Sequence, residues 1–191
     1  MTTDSSVARL LLPLCAALAL SGGCMSQKYS AEPYRAAQDR FGAIALATSK
    51  QVYVCPTIDS LAPECRKHLA SKFTPWEHAT DAIEKELQAS GVQPVRPAFA
   101  CGPSFDSLKQ AVGEKAVKGE KAVYLGTELL WLAAGRWTLD AKLLDPTGKV
   151  LFEKRGICVV LGVPKVDAQE VTHMALRQIL ADPLFQQALA Q

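Results

Sequence analysis

Ala122-Val-Tyr-Leu-Gly-Thr-Glu-Leu-Leu-Trp-Leu132 is followed, after a short break, by Arg136-Trp-Thr-Leu-Asp-Ala-Lys-Leu-Leu144, Asp145-Pro-Thr-Gly148 and then Val150 to Val160. The first stretch is apolar except for Gly126, Thr127 and Glu128, which predicts a central strand buried on both faces for part of its length. The second places Trp137, Leu139, Ala141 and Leu143 at every other position, the period of a strand with one buried face. Asp145-Pro-Thr-Gly148 is a turn, so the second and third stretches form a hairpin. Within the first stretch Glu128 is the acid to follow. It either reaches solvent at the sheet rim or is a buried carboxyl with a raised pKa and a role.

Working outward, Gln51-Val-Tyr-Val-Cys55 is β-branched and aromatic and stops at Pro56, as a first buried strand does, and Ile44 to Ala47 is expected to pair nearby. Thr74-Pro-Trp-Glu77 starts a helix by two signals, a capping box from Thr74 to Glu77 and a proline at the first helical position. Trp76, Ala79, Ile83 and Leu87 form its buried stripe, with Thr80 at the edge and Lys85 opposite, and Gly91 is its left-handed stop. Val92 to about Val95 is a short strand that Pro94 and Pro97 confine to a sheet edge. Ser104 caps a second helix through Leu108 and Val112. The tandem hexapeptides GEKAVK and GEKAVY, Gly113 to Tyr124, read as a turn with a solvated charged surface. Asp167-Ala-Gln-Glu170 repeats the capping logic ahead of a final long helix with Val171, Met174, Ala175 and Ile179 inward, and Asp182-Pro183 restarts a short terminal one. The order β-α-β-α-β-β-β-α specifies an α/β (α+β) fold, a mixed five-stranded sheet with helices packed on it.

The chain has 191 residues, a net charge of +2 and 49% hydrophobic residues. That length suits a leader, a tether and one domain, and the near-neutral balance lacks the basic excess of a nucleic-acid binder. Residues 1–23 have the layout of a signal peptide: a basic residue (Arg9), an apolar run from Leu10 to Leu20 interrupted by Pro13, and small residues Ser21, Gly22 and Gly23 ahead of Cys24. The run is too short to span a bilayer. Leu20-Ser-Gly-Gly-Cys24 resembles a bacterial lipobox, with Ser21 where the usual pattern has an aliphatic residue and Leu20 one position further back. The resemblance implies cleavage before Cys24, lipidation of its thiol, and, with Met25 rather than aspartate next, delivery to the inner leaflet of an outer membrane. Polar residues 24–42, with a helix expected around Tyr34 to Phe41, are then a tether, and 43–191 a single periplasmic domain.

Export would put Cys55, Cys65, Cys101 and Cys158 in an oxidising compartment, where two disulfides are expected and three connectivities exist. The short, proline-containing separation favours Cys55–Cys65, leaving Cys101–Cys158. No C-x-x-C pair occurs, and His68, His78 and His173 are scattered, so no metal or cofactor is expected. No G-x-S-x-G, P-loop or H-E-x-x-H motif is present either, and the chain reads as a non-enzyme.

Val52-Tyr-Val54, Glu86-Leu-Gln-Ala-Ser-Gly91, Ala122-Val-Tyr-Leu-Gly126 and Lys142-Leu-Leu-Asp-Pro-Thr-Gly-Lys-Val-Leu-Phe152 together resemble a small α/β domain of envelope proteins. It is the domain of the TolB N-terminal region, the curli-secretion lipoprotein, the Pel polysaccharide-export lipoprotein and the auxiliary lipoproteins of lipid-transporting ABC systems. The resemblance covers most of residues 50–181. It implies a non-catalytic accessory lipoprotein that docks onto an envelope complex, with homo-oligomers among its assemblies. Unlike the curli channel, this sequence has no two long alternating segments that would build a transmembrane barrel. A different reading, a carrier holding a lipid or glycan in an apolar groove, would use Trp131, Trp137 and Phe152 as lining.

Overall fold

Ala122–Leu132 forms β4, and the other elements are arranged along it. The computed structural model describes residues 43–60, 75–132, 136–159 and 168–191. The leader, Cys24, the tether, Cys65 and the helix caps Thr74 and Asp167 lie outside the described residues. Ahead of β4 come β1 (Gln51–Val54), β2 (Ile58–Asp59), α1 (Pro75–Ala89), β3 (Pro94–Val95) and α2 (Phe105–Lys115). After it come β5 (Arg136–Leu144), β6 (Val150–Val159), α3 (Ala168–Leu180) and α4 (Pro183–Ala190).

The sheet runs β3-β1-β4-β5-β6. β3, β1 and β4 are parallel, and β4, β5 and β6 are successive antiparallel hairpins. This is the mixed five-stranded sheet that the hydropathy pattern specifies, with β2 as a two-residue addition that also pairs with β4. Val54 lies opposite Leu125 and Ile58 opposite Glu128, so the β1–β2 side carries one residue more than β4 over that interval. Pro56 sits in this bulge, where the lack of an N–H costs no ladder bond. Ile44 to Ala47 does not add the expected strand. Leu46 docks instead through one backbone bond, its N–H donating to Ser90 O at 2.8 Å.

Alternation along each strand divides the core in two. Val52 and Val54 of β1, Val123, Leu125 and Leu129 of β4, and Leu139, Ala141 and Leu143 of β5 face α1, α3 and α4. They meet Ala79, Ile83, Leu87, Ala175, Leu176, Ile179 and Phe185 there, and each large side chain so buried contributes about 1.5–3 kcal/mol. On the other face Ala122, Tyr124 and Leu144 meet Leu108 and Val112 of α2. A Cβ at Gly126 would overlap Leu108, so glycine is what lets α2 lie directly on β4. Phe152 does not line a groove. It is buried, edge-on to Phe185 with ring centres 5.2 Å apart, in the first of these cores.

Local chemistry sets the helix ends. α1 begins at Pro75 as expected and ends at Gly91, φ 89°, where Val92 N–H returns to Leu87 O at 2.9 Å. Ser104 caps α2 reciprocally with Ser107, and Asp182 Oδ1 caps α4 by accepting from Leu184 N–H at 2.8 Å. The tandem hexapeptides adopt different structures. The first closes α2, whereas the second turns at Gly119, φ 81°, and enters β4, because β1 is there to pair with Ala122 and Val123.

The Asp145–Gly148 turn is held by Asp145 Oδ1, which accepts from Thr147 N–H at 2.8 Å and Lys149 N–H at 3.0 Å. Burial would raise the carboxyl's pKa, but the bond from the Thr147 hydroxyl, with those two N–H bonds, holds it below its usual range. Gly148, φ 83°, brings the turn against α2, where a Cβ would come within 2.7 Å of Lys109 O.

α1 and α3 are clasped by a buried carboxylate. Glu86 shares the inward side of α1 with Ile83, and accepts from Arg177 Nε at 2.7 Å while lying 2.8 Å from His173 Nδ1. Burial alone would raise its pKa, but the bonds to His173 and Arg177 together bring it below the ordinary 4.5. A lowered carboxyl adds stability that is fully present above 4.5 and lost as pH falls through the folded value. Glu86→Gln should therefore destabilise the fold by about 2 kcal/mol, lowering Tm by roughly 4–8 °C at neutral pH, with the difference from wild type shrinking in acid. Thermal melts at several pH values measure this, and a constant difference down to pH 3 would contradict it.

Candidate functional site

Cys55 follows β1, its N–H donating to Leu125 O at 3.0 Å, and its side chain lies on the α2 side of the sheet. Cys101 lies just ahead of the Ser104 cap. The two form a disulfide across 46 residues, with Cα atoms 6.0 Å apart. This replaces the expected Cys55–Cys65 and Cys101–Cys158 pairs. Closeness in sequence misleads because loop-closure entropy grows only logarithmically, so the longer loop costs roughly 1 kcal/mol more than the short one. The β1 end and the α2 entry are brought together by the sheet, and that decides the partner. Cys65 lies outside the described residues, and for Cys158 the backbone in β6 is described.

An aromatic stack sits beside the bridge. Tyr53 lies nearly parallel to Tyr124 with ring centres 4.8 Å apart, and Phe99 tilts against Tyr124 at 5.8 Å. Tyr53 O–H donates to Glu120 Oε1 at 3.0 Å, and that bond, more than burial, raises the Tyr53 pKa. Burial first, then the charge of Glu120, pushes Tyr124 up to about 12.

Farther along the same face is a row of charges. Glu128, Asp140 and Arg155 lie side by side across β4, β5 and β6. Arg155 grips Asp140 with Nε to Oδ1 at 2.9 Å and Nη2 to Oδ2 at 3.0 Å, which raises the arginine pKa further. The next row pairs Lys142 Nζ with Glu153 Oε1 at 3.2 Å. Glu128 is half-buried in mid-strand and accepts from Ser60 Oγ, so it belongs to this network rather than to the sheet rim. Both oxygens of Asp140 are occupied by Arg155, which ties up the acid nearest to Glu128.

On the α1 side the polar break in β4 is explained by its partners. Thr127 Oγ1 lies 3.1 Å from Thr57 Oγ1, and Thr57 N–H donates to Thr80 Oγ1 at 2.9 Å, so three buried threonines fix the bulge against α1. Thr80 was legible as the edge of the helix stripe; its bond to a bulge was not, because a bulge has no sequence period. The Glu86–His173–Arg177 clasp was also missed, although His173 and Arg177 are spaced one helical turn apart on α3.

Of the other proposed residues, Trp131 and Trp137 oppose each other in backbone register, and their side chains lie outside the described set. Among the described residues no three His, Cys, Asp or Glu side chains converge as metal ligands, and no helix is long and apolar enough to cross a membrane.

No protein-family model matches the chain, and no curated protein matches it. Among solved structures it is similar to a PelC variant dodecamer from Paraburkholderia phytofirmans, with 15% identity and a TM-score of 0.45 over 75% of this chain and 94% of that one. A likeness of this degree bears on neither assembly nor partner.

Replacing Cys55 and Cys101 together by alanine should cost about 2–4 kcal/mol in denaturant melts, and a loss below about 0.5 kcal/mol would mean that the bridge does not brace β1 against α2. A tyrosine raised in the fold adds stability below 10.0 that is lost as pH rises towards about 12. Tyr124→Phe should remove part of that alkaline slope, as melts between pH 9 and pH 12 would show. An unchanged slope would place the titration elsewhere.

Proposed function

We propose that the chain is an exported, lipid-anchored accessory protein of a cell-envelope assembly, secretion or transport system. It faces the periplasm from an outer membrane and performs no chemistry of its own. The observation that carries this reading is the Cys55–Cys101 bridge, because structural disulfides persist in oxidising compartments and are rare in a reducing cytosol. The leader supplies the route: residues 1–23 direct export, Cys24 takes the lipid, and residues 24–42 space the domain 43–191 from the bilayer. More than one acyl chain on Cys24 is needed, since a single chain gives only reversible binding. Resemblance to the small domains of envelope lipoproteins points the same way.

Labelling cells with radioactive palmitate and fractionating them tests the anchor. Wild type should carry label and sediment with membranes. Cys24→Ala should be unlabelled. Unlabelled wild type, or a variant that still carries label, would rule out lipidation at Cys24, and a cytosolic chain would rule out export.

A further inference from the structure

The sheet has two edges. One is β3, two residues long and containing Pro94, a form that discourages further pairing. The other is β6, ten residues long, and among the described residues no backbone bond closes its outer side. In an antiparallel strand alternate residues turn their N–H and C=O groups away from the neighbour, so about half of β6 offers unpaired backbone groups.

We infer that β6 pairs with β6 of a second copy, antiparallel about Lys154, joining two sheets into one. Charge selects this occupant and this register. Glu153 and Arg155 lie on the same face of β6, 61% and 56% exposed, and are bonded to Lys142 and Asp140. A two-fold axis at Lys154 sets Glu153 opposite Arg155 of the second copy, and Arg155 opposite its Glu153. Each cross-strand row then reads Asp140, Arg155, Glu153 of the second copy, Lys142 of the second copy: minus, plus, minus, plus. Moving the axis to Glu153 or to Arg155 sets like charges face to face, which is unfavourable for directly opposed residues.

At the axis itself the two Lys154 side chains meet, each paired with Asp182 with Nζ to Oδ2 at 2.5 Å. The two Glu153–Arg155 contacts outweigh that one like-charge contact, whereas an axis at Glu153 or Arg155 has a like-charge contact and neither attractive one. Two residues beyond Asp182, Leu184 on the first turn of α4 is 65% exposed. An isologous pairing of this kind closes after two copies and leaves no β6 edge open. The inference is independent of the anchoring proposal.

Sedimentation of the full-length chain in detergent tests it. Wild type should be dimeric at micromolar concentration. Glu153→Arg and Arg155→Glu should each weaken self-association roughly tenfold or more, because each turns two attractive contacts into repulsive ones. An equal mixture of the two variants should recover the dimer, since every facing pair is again opposite in sign. Should a reversal impair folding, Lys154→Cys provides a separate reading. Across the axis its thiols lie within disulfide reach, and oxidation of the purified chain should give a linked dimer in greater yield than the parent chain. A monomeric wild type, self-association indifferent to both reversals, no recovery on mixing, or no gain in linked dimer would each overturn the pairing.

Discussion

β4 is hydrogen-bonded on both flanks, to parallel β1 and to antiparallel β5, and this double pairing is the constraint from which the fold follows. β4 carries apolar residues on both faces, Val123, Leu125 and Leu129 on one and Ala122 and Tyr124 on the other, so it calls for helices above and below. α1 and α3 cover one face and α2 the other, the latter made possible by the missing side chain of Gly126. Parallel pairing with β1 needs a crossover, which α1, β3 and α2 supply, whereas pairing with β5 needs only a turn. The long hairpins therefore extend beyond α2, and their outward charges form rows across three strands.

The two faces are stabilised by different chemistry. On the α1 side, aliphatic packing is tied by a buried carboxylate and by three threonines at the bulge, both satisfied by hydrogen bonds. On the α2 side the layer is thinner, one short helix over Tyr124, Leu144 and their neighbours, and a disulfide and a docked turn compensate. A covalent brace matters most where a core is small.

Periodicity was enough to read the long elements. The apolar run at β4, the alternation of β5, the Asp145–Gly148 turn and the caps at Ser104 and Asp182 all carry local signals that their environment reinforces. What could not be read depended on contacts distant in sequence. The Cys55–Cys101 pair is set by where the sheet places the end of β1, and the second GEKAVY copy becomes strand because β1 lies beside it. Glu86 looks like an ordinary helix acid until α3 brings His173 and Arg177 over it. Ile44 to Ala47 has the composition of a strand but only a single backbone bond to Ser90 O at that edge. Of the candidate site, the cysteines were visible in the sequence and their partner was not.

The claim on which the rest stands is that the sheet, not sequence proximity, brings Cys55 to Cys101. Peptide mapping under non-reducing conditions, on the chain purified from cells with free thiols blocked at lysis, tests it most directly. The account predicts a peptide joining Cys55 to Cys101 that disappears on reduction. Free thiols at both positions, or a peptide joining Cys55 to Cys65, would contradict it.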